Sequence, residues 1–501
     1  MPKLTAASPR LTVRLYKTIS RQTIDGQTAV SARYAEKDEF IELTGFMGDG
    51  SSVRTTKSVR EPAGAFTITF MDKAQGYVSL DSVYGLVEPM DVVEIRMWGG
   101  VGPTPASGKL PIVMRGFVSD VQRQQGMSPD GRPVRSVVIT GQDYGKIWQI
   151  FQALYMPSYS EGKSLLTSFQ LAELFGFKAV SAISAPEFVR LMITKIINPY
   201  IAGMLPESLS GDIPKKIQTS DASILVKHGM IGQHFQSEQG PIYEIMKRHT
   251  DVGHWNELYA EDREDGVHCV YRPIPALRLS GQSVAERKIQ DDAPDPVYVL
   301  VPDGLGTSFG VSRSDSVVSN FYWVNGQKYD LIDDMSRRLF DLQFGKLANS
   351  GKDYPNTAVK YYGLRPMYAD TQMSGDEIKN DQSGQPEGEQ KQRNDRQYSW
   401  IEKRLKQLVE MNQDNVVFER GTARVKGGLM RPDGSELMKA GDYARFQVGR
   451  ITWDAYVTQI DHEFTPYQSY TQTLTFERGE GFAKRTQAGG SPWLTEQARR
   501  I

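Results

Sequence analysis

The sequence predicts a β-rich α+β protein: two similar antiparallel β-barrels with an inserted helical block and additional helices. Three observations carry this expectation. Short strands that alternate apolar and polar residues crowd both ends of the chain. The strand pattern near the amino end returns near the carboxyl end. Between them lie stretches whose apolar residues recur at helical spacing.

Residues 1–145 read almost entirely as strand, the first barrel. Leu11, Val13 and Leu15 alternate with Thr12, Arg14 and Tyr16. After a Pro62-Ala63-Gly64 turn, Phe66, Ile68 and Phe70 point one way and Thr67 and Thr69 the other. One buried face and one wet face mark an antiparallel sheet rather than a parallel core covered on both sides. Further strands follow at Val92 to Trp98, Ile112 to Gln122 and Arg135 to Gly141, with Gly/Pro/Ser turns between them.

Residues 146–250 read as mainly helical. The stretch from Lys146 to Tyr155 starts the block, and Leu165, Phe169 and Ala172 share one helical face. Ser184-Ala185-Pro186 opens another helix, with proline in the first turn, where its missing N–H costs nothing. Gln239-Gly240-Pro241 opens a fourth.

Strands resume in 251–330, expected to begin the second barrel: a hairpin from Asn256 to Pro273 turning at Asp265-Gly266, then runs at 295–303 and 316–326. Residues 331–412 hold two expected helices, 331–342 and 398–412. The second places Ile401, Leu405 and Leu408 on one face and spaces Glu402 and Lys406 four apart. Between them, 374–397 has one aliphatic residue, Ile378, and no aromatic, which predicts a mobile polar loop. Strands in 413–482 close the second barrel. A tail, 483–501, carries Trp493, Leu494, Arg499 and Arg500, an apolar anchor with flanking charge suited to a partner contact.

Set side by side, the two strand regions match. Asp91 and Asp442 each follow a turn and precede an alternating strand. Phe117-Val118-Ser119-Asp120-Val121 aligns with Tyr456-Val457-Thr458-Gln459-Ile460, and a final strand ends in glycine at Gly141 or Gly479. This reads as two copies of one small barrel, the second interrupted by the middle of the chain. Phe117, Ser119 and Val121 are expected to share a face, with Tyr456, Thr458 and Ile460 on its counterpart.

The 501 residues imply two to four domains, and the chain is 39% hydrophobic, enough for a sizeable core. Lys and Arg (59) nearly cancel Asp and Glu (60), so no charge excess points to nucleic acid or an anionic membrane. One cysteine, Cys269, excludes an intrachain disulfide and fits a reducing cytoplasm. The most apolar segment, 186–204, carries Arg190 and Lys195 and is cut by Pro199, too short and too charged to span a bilayer.

Catalytic signatures are weak. Gly141 to Lys146 resembles part of a phosphate loop, but the glycines are one residue too close and Ile147 replaces the hydroxyl. The histidines, His228, His234, His249, His254, His268 and His462, form no metal-ligand spacing. The acidic run Glu261 to Asp265 sits at the hairpin tip, where solvated carboxylates would keep ordinary pKa values. The expectation is a protein with no catalytic residues, no metal and no cofactor.

The order of motifs points further. PAGAFTITF, EPMDVVEIRMW, MRGFVSDVQRQ and RSVVITGQDYGKIW resemble the opening barrel of baseplate hub proteins of contractile-tailed bacteriophages, a family related to the hub portion of type VI secretion spikes. The hairpin Asn256 to Pro273, the Tyr361-Tyr362-Gly363-Leu364-Arg365-Pro366 element and the strands after Ala455 are similar to later parts of that family. Pro89-Met90-Asp91 stands where Pro-Gly-Asp is usual.

The resemblance implies a structural hub in the virion, assembled in the host cytoplasm: a homotrimeric ring with two similar barrels per chain, adapting a six-fold tail tube to a three-fold spike. The partners it implies are a central spike protein, tail tube or tube-initiator proteins, a tape measure protein and baseplate wedge proteins, with DNA only as passing cargo and no stable membrane insertion. The chain runs only about twenty residues past its last expected barrel strand, so the spike is expected to be a separate protein. A tail-associated cell-wall hydrolase and the hub of a phage-derived injection or secretion particle are the alternatives.

Overall fold

The computed structural model describes residues 9–18, 40–71, 83–100, 108–127, 131, 133–153, 183–206, 213–231, 240–326, 338–341, 354–375, 387–448 and 451–487. Their organising feature is a thirteen-stranded sheet made of two blocks laid side by side. The first block contains β1 (Arg10–Tyr16), β2 (Ser52–Ser58), β3 (Ala65–Met71), β4 (Val92–Trp98), β5 (Ile112–Met127) and β6 (Pro133–Asp143). Helix α1 (Gly145–Ile150) follows.

The middle of the chain then packs a helical core. Ser184 caps α2 (Ala185–Leu191), with Pro186 in the first turn as expected. A π-helical stretch, Met192–Ile197, leads into α3 (Asn198–Met204). Pro199 lacks the amide that a regular α-helix would need there, and the wider π turn falls just before it. Phe188, Met192, Ile193 and Ile197 bury completely against Ile147, Trp148 and α4 (Ile242–His249). The apolar segment is therefore core. No helix among the described residues is long and apolar enough to cross a membrane.

The hairpin of β7 (Asn256–Arg263) and β8 (Gly266–Pro273) forms where expected, but in a small sheet of its own with strand 217–218. The second block begins later, with β9 (Tyr298–Val301) and β10 (Gly306–Ser312). A separate three-stranded sheet follows: β11 (Phe321–Asn325), β12 (Arg338–Asp341) and β13 (Pro366–Asp370). Arg338–Asp341, expected within a helix, is thus strand, because pairing with β11 overrides local propensity.

Helix α5 runs from Glu387 to Asn412, so 387–397, expected in a mobile loop, is helical. That stretch is poor in apolar residues but rich in Glu, Gln, Lys and Arg. Such residues extend a helix whose far half buries Ile401, Leu405 and Leu408. Residues 376–386 and the helix expected around Leu165 lie outside the described residues. The second block closes with β14 (Glu419–Lys426), β15 (Tyr443–Val448), β16 (Ile451–Thr465), β17 (Ser469–Gly479) and helix α6 (Gly481–Gln487).

The duplication is visible in the strand order. The first block reads β2-β3-β6-β5-β4-β1 across the sheet, and the second β10-β14-β17-β16-β15-β9. A β-bulge falls at the same place in both, skipping Ser119 between Val118 and Asp120 and Thr458 between Val457 and Gln459. The bulge changes the expected faces. Val118 and Val121 point into the first block's core, and Val457 and Ile460 into the second's, while Phe117 packs in the helical core instead.

By this register Gly141, opposite Val118, corresponds to Phe476, opposite Val457; Gly479 lies three residues beyond. The blocks also differ at one edge. β1 runs antiparallel to β4, but β9 runs parallel to β15.

Strands of each block direct apolar residues into one common core, so each half of the sheet curls. Neither closes into a barrel among the described residues. The long strand β16 gives its second half to β2 of the first block rather than to its own, and the expected pair of barrels is one continuous sheet.

Candidate functional site at the joint between the blocks

The duplicated turn before β4 and β15 shows how far the copies agree. Met90 N–H donates to Val118 O at 2.8 Å, and Gly441 N–H to Val457 O at 2.7 Å. The carboxylates of Asp91 and Asp442 accept from the backbone N–H of Glu88 and Lys439, both at 2.9 Å. Each aspartate holds a cation, Lys17 or Arg431. Burial raises both aspartates above their ordinary range, against the pull of those cations. The turn needs a left-handed residue, and Met90 (φ 75°) occupies the place of Gly441 (φ 96°).

Two cross-strand pairs occur in both blocks with their members exchanged. Phe66 of β3 lies opposite Gly141 of β6; in the second block Gly421 of β14 lies opposite Phe476 of β17. At Gly141 the Phe66 ring and Phe117 O stand where a Cβ would lie; at Gly421 it is Gly310 O, with the Phe476 ring beside it. Likewise Glu94 of β4 pairs with Arg115 of β5 at 3.1 Å, whereas Arg445 of β15 pairs with Asp454 of β16 at 2.8 Å. Each exchange keeps the volume or charge sum of the pair, which is what pairwise packing of a sheet requires.

Between the blocks, β16 pairs with β2 from Gln459 opposite Ser58 to Phe464 opposite Val53. Thr56 Oγ1 donates to Asp461 Oδ1 at 2.6 Å across this seam. His462 is buried there, with Nδ1 2.8 Å from the Tyr470 hydroxyl, and burial lowers its pKa to about 4.

The β7–β8 hairpin clamps the joint. Its root meets the second block, where Arg272 bonds Glu257, Gly441 O and the Tyr456 hydroxyl. Its tip meets the first: Asp262 accepts from Arg115 N–H, and Glu264 accepts from Arg96 and from Ile112 N–H. Lys57 lies between, 2.8 Å from Asp143 and 2.5 Å from Asp262. Burial alone would lower the Lys57 pKa; the two carboxylates more than offset it and hold the ammonium above its ordinary value.

The acidic run is therefore not solvated at a free tip, as its sequence position suggested. Glu261 and Asp262 are buried. Burial would raise Glu261, but Lys439, Arg263 and Arg431 hold it below the usual carboxylate range. The cavity beside these groups measures about 40 Å³, room for water rather than a substrate.

The structure also joins residues that sequence spacing did not connect. Ser223 Oγ lies 3.0 Å from His268 Nδ1, and His268 Nε2 lies 2.9 Å from Asp265 Oδ1. The composition is that of a nucleophilic triad, but Ser223 is completely buried and Asp265 is the solvent-facing member. The trio pins the hairpin tip to the 220–223 turn. Their separation in sequence, and the commonness of each residue type, left no motif to find.

The remaining candidates are accounted for by local bonding. In the phosphate-loop fragment, Gly145 N–H donates to Asp143 at 2.8 Å, and Lys146 Nζ donates to Ser119 Oγ at 3.0 Å. Cys269 is buried beside His268 but faces the helical core, and burial pushes its thiol pKa up. No group of three metal-ligating side chains exists among the described residues. Trp493, Leu494, Arg499 and Arg500 lie outside them.

No protein-family model matches the chain, and no curated protein matches it by sequence. Among solved structures, it is similar to phage tail proteins and to type VI secretion components. The 43 kDa tail protein of prophage MuSo2 from Shewanella oneidensis is 11% identical, with 94% of this chain and 98% of that one covered and a TM-score of 0.42. A tail protein from Neisseria meningitidis is 10% identical, with 94% and 96% covered and a TM-score of 0.42. A chain of the Francisella PdpA-VgrG complex is 8% identical, with 95% and 58% covered and a TM-score of 0.36.

Proposed function

We propose that this chain is the structural hub of a phage tail baseplate, or of a phage-derived injection particle, and not an enzyme. The observation that supports it most is the duplication: two blocks of equal strand order, side by side in one sheet. Three such chains in a ring present six similar blocks, spaced about 60° apart, so one face can meet a six-fold tube while the ring keeps the symmetry of a three-fold spike. The central channel would pass DNA and the tape measure protein. The motif order read from the sequence supports the same assignment. Trp493, Leu494, Arg499 and Arg500 are proposed to contact a neighbour or the spike.

The test is particle assembly without this chain. Lysates lacking it should contain no intact tails carrying a spike, and restoring it should restore them. Purified chain should clear no peptidoglycan in a zymogram. Complete tails made in its absence would overturn the hub reading, and clearing would favour the hydrolase.

A further inference from the structure

Each block has one long strand, and its two halves have different neighbours. In β16, residues 451–456 pair with β15, and residues 459–464 pair with β2 of the other block. In β5, the first half pairs with β4 as far as Phe117. The second half, Asp120 to Gln125, pairs with β6 on its inner side, and among the described residues no strand lies along its outer edge. The counterpart of β2 is β10, which among the described residues ends the sheet and pairs only with β14.

The two strands that meet inside the chain thus have two counterparts whose outer edges pair with no further strand among the described residues. Exposure follows the same division. Ile460, His462 and Phe464 of β16 are buried, whereas 122–127 of β5 are exposed. Val53 of β2 is 0% exposed, and its counterpart Phe309 of β10 is 44% exposed.

The sequence of β10, GTSFGVS, carries no charge and no proline, the usual devices that keep an edge strand from pairing. Phe309 packs on Phe446, Trp453 and Phe476, and the rest of its surface stands open at an edge that lacks the usual protection.

We infer that these two edges pair with each other between successive copies of the chain, in the register of the internal joint. Transferring that register places Asp120 opposite Ser314, Gln122 opposite Ser312 and Gln124 opposite Gly310. Phe309 then lies opposite Gln125 and is covered as Val53 is within the chain. Ser312 and Gln122 take the places of Thr56 and Asp461, whose side chains bond across the internal seam.

The contact is heterologous, one edge meeting a different edge, so it must close into a ring or run on as a filament. Closure after three copies rests on the hub reading; the strand pairing itself rests on the duplicated joint.

The experiment is disulfide trapping in assembled particles carrying the full chain. The in-register variant combines Gln122→Cys with Ser312→Cys, both at exposed positions. Native Cys269 is completely buried and does not compete. The off-register control combines Gln122→Cys with Val311→Cys, whose side chain faces the other side of the strand.

On mild oxidation most of the in-register chain should move to species of two and three chains, while the control stays single. Hub rings visible by electron microscopy with no in-register crosslink, or with equal crosslinking of the control, would overturn the strand pairing and leave the hub reading standing. Particles with no ring of this chain at all would remove both.

Discussion

In the first strand block β2 is covered by β16, whereas its counterpart in the second, β10, has no strand on its outer edge among the described residues. Lys57 in the first block is held by two buried carboxylates at the joint, while its counterpart in the second, Arg313, is exposed and rests on the ring of Phe482. The same strand position is therefore structural in one copy and available in the other. A duplicated unit need not keep its residues; it keeps the pairs they form.

The largest predicted effect tests that contrast. Lys57→Met leaves Asp143 and Asp262 buried without their cation and should cost about 3–5 kcal/mol, as removal of one partner of a buried pair does. Arg313→Met should cost less than about 1 kcal/mol, mostly lost ring contact. Denaturant midpoints of the two variants measure the difference, and equal losses would mean the joint is not where the two blocks diverge.

The exchanged ring–glycine pair gives the next effect. Gly141→Phe overfills the space against Phe66 and should destabilise by about 3 kcal/mol. Adding Phe66→Gly recreates the pair of the second block and should recover part of that loss, the remainder being the approach of the new Cβ to Phe117 O. A double-mutant cycle with no coupling would show that the resemblance of the pairs is incidental.

Acid should reveal the seam. Burial depresses the pKa of His462 to about 4, so below its ordinary 6.5 the unfolded chain takes up the proton first. The stability that depends on neutral His462 is present above pH 6.5 and is lost as pH falls toward 4. Relative to His462→Gln, the native chain should lose about 2 kcal/mol between pH 7.5 and pH 4.5. The counterpart, Arg123, is exposed, and its replacement should leave the pH profile unchanged.

The smallest effect is at the duplicated turn. Met90→Gly relieves a left-handed side-chain residue, partly offset by its lost packing on the helical core, and should stabilise by less than about 1 kcal/mol. Gly441→Ala should destabilise, because its new Cβ would meet both the strained backbone and the Arg272 guanidinium. Thermal melts of the pair check the opposite signs.

These comparisons show what the sequence makes legible. Alternation in Phe66 to Phe70 and the Asp91/Asp442 turns place the strands and expose their duplication, since both are local signals. The bulge at Ser119 and Thr458 is not local: it depends on the register of a partner strand, and it moves Val121 away from the face of Phe117. The buried state of Glu261 and Asp262 was hidden for the same reason, as their cations, Lys57 and Lys439, lie far off in the chain. Residues 387–397 misled because composition reports the capacity to bury, whereas a helix can be extended from a buried half elsewhere.

The central claim is that two equivalent blocks per chain let three chains imitate six subunits. A reconstruction of the assembled particle around the hub, without imposed six-fold symmetry, tests it most directly. Three copies are expected, with the β2-to-β1 and β10-to-β9 blocks alternating about 60° apart around one ring. Six copies in that ring, or the two blocks stacked along the axis, would contradict it.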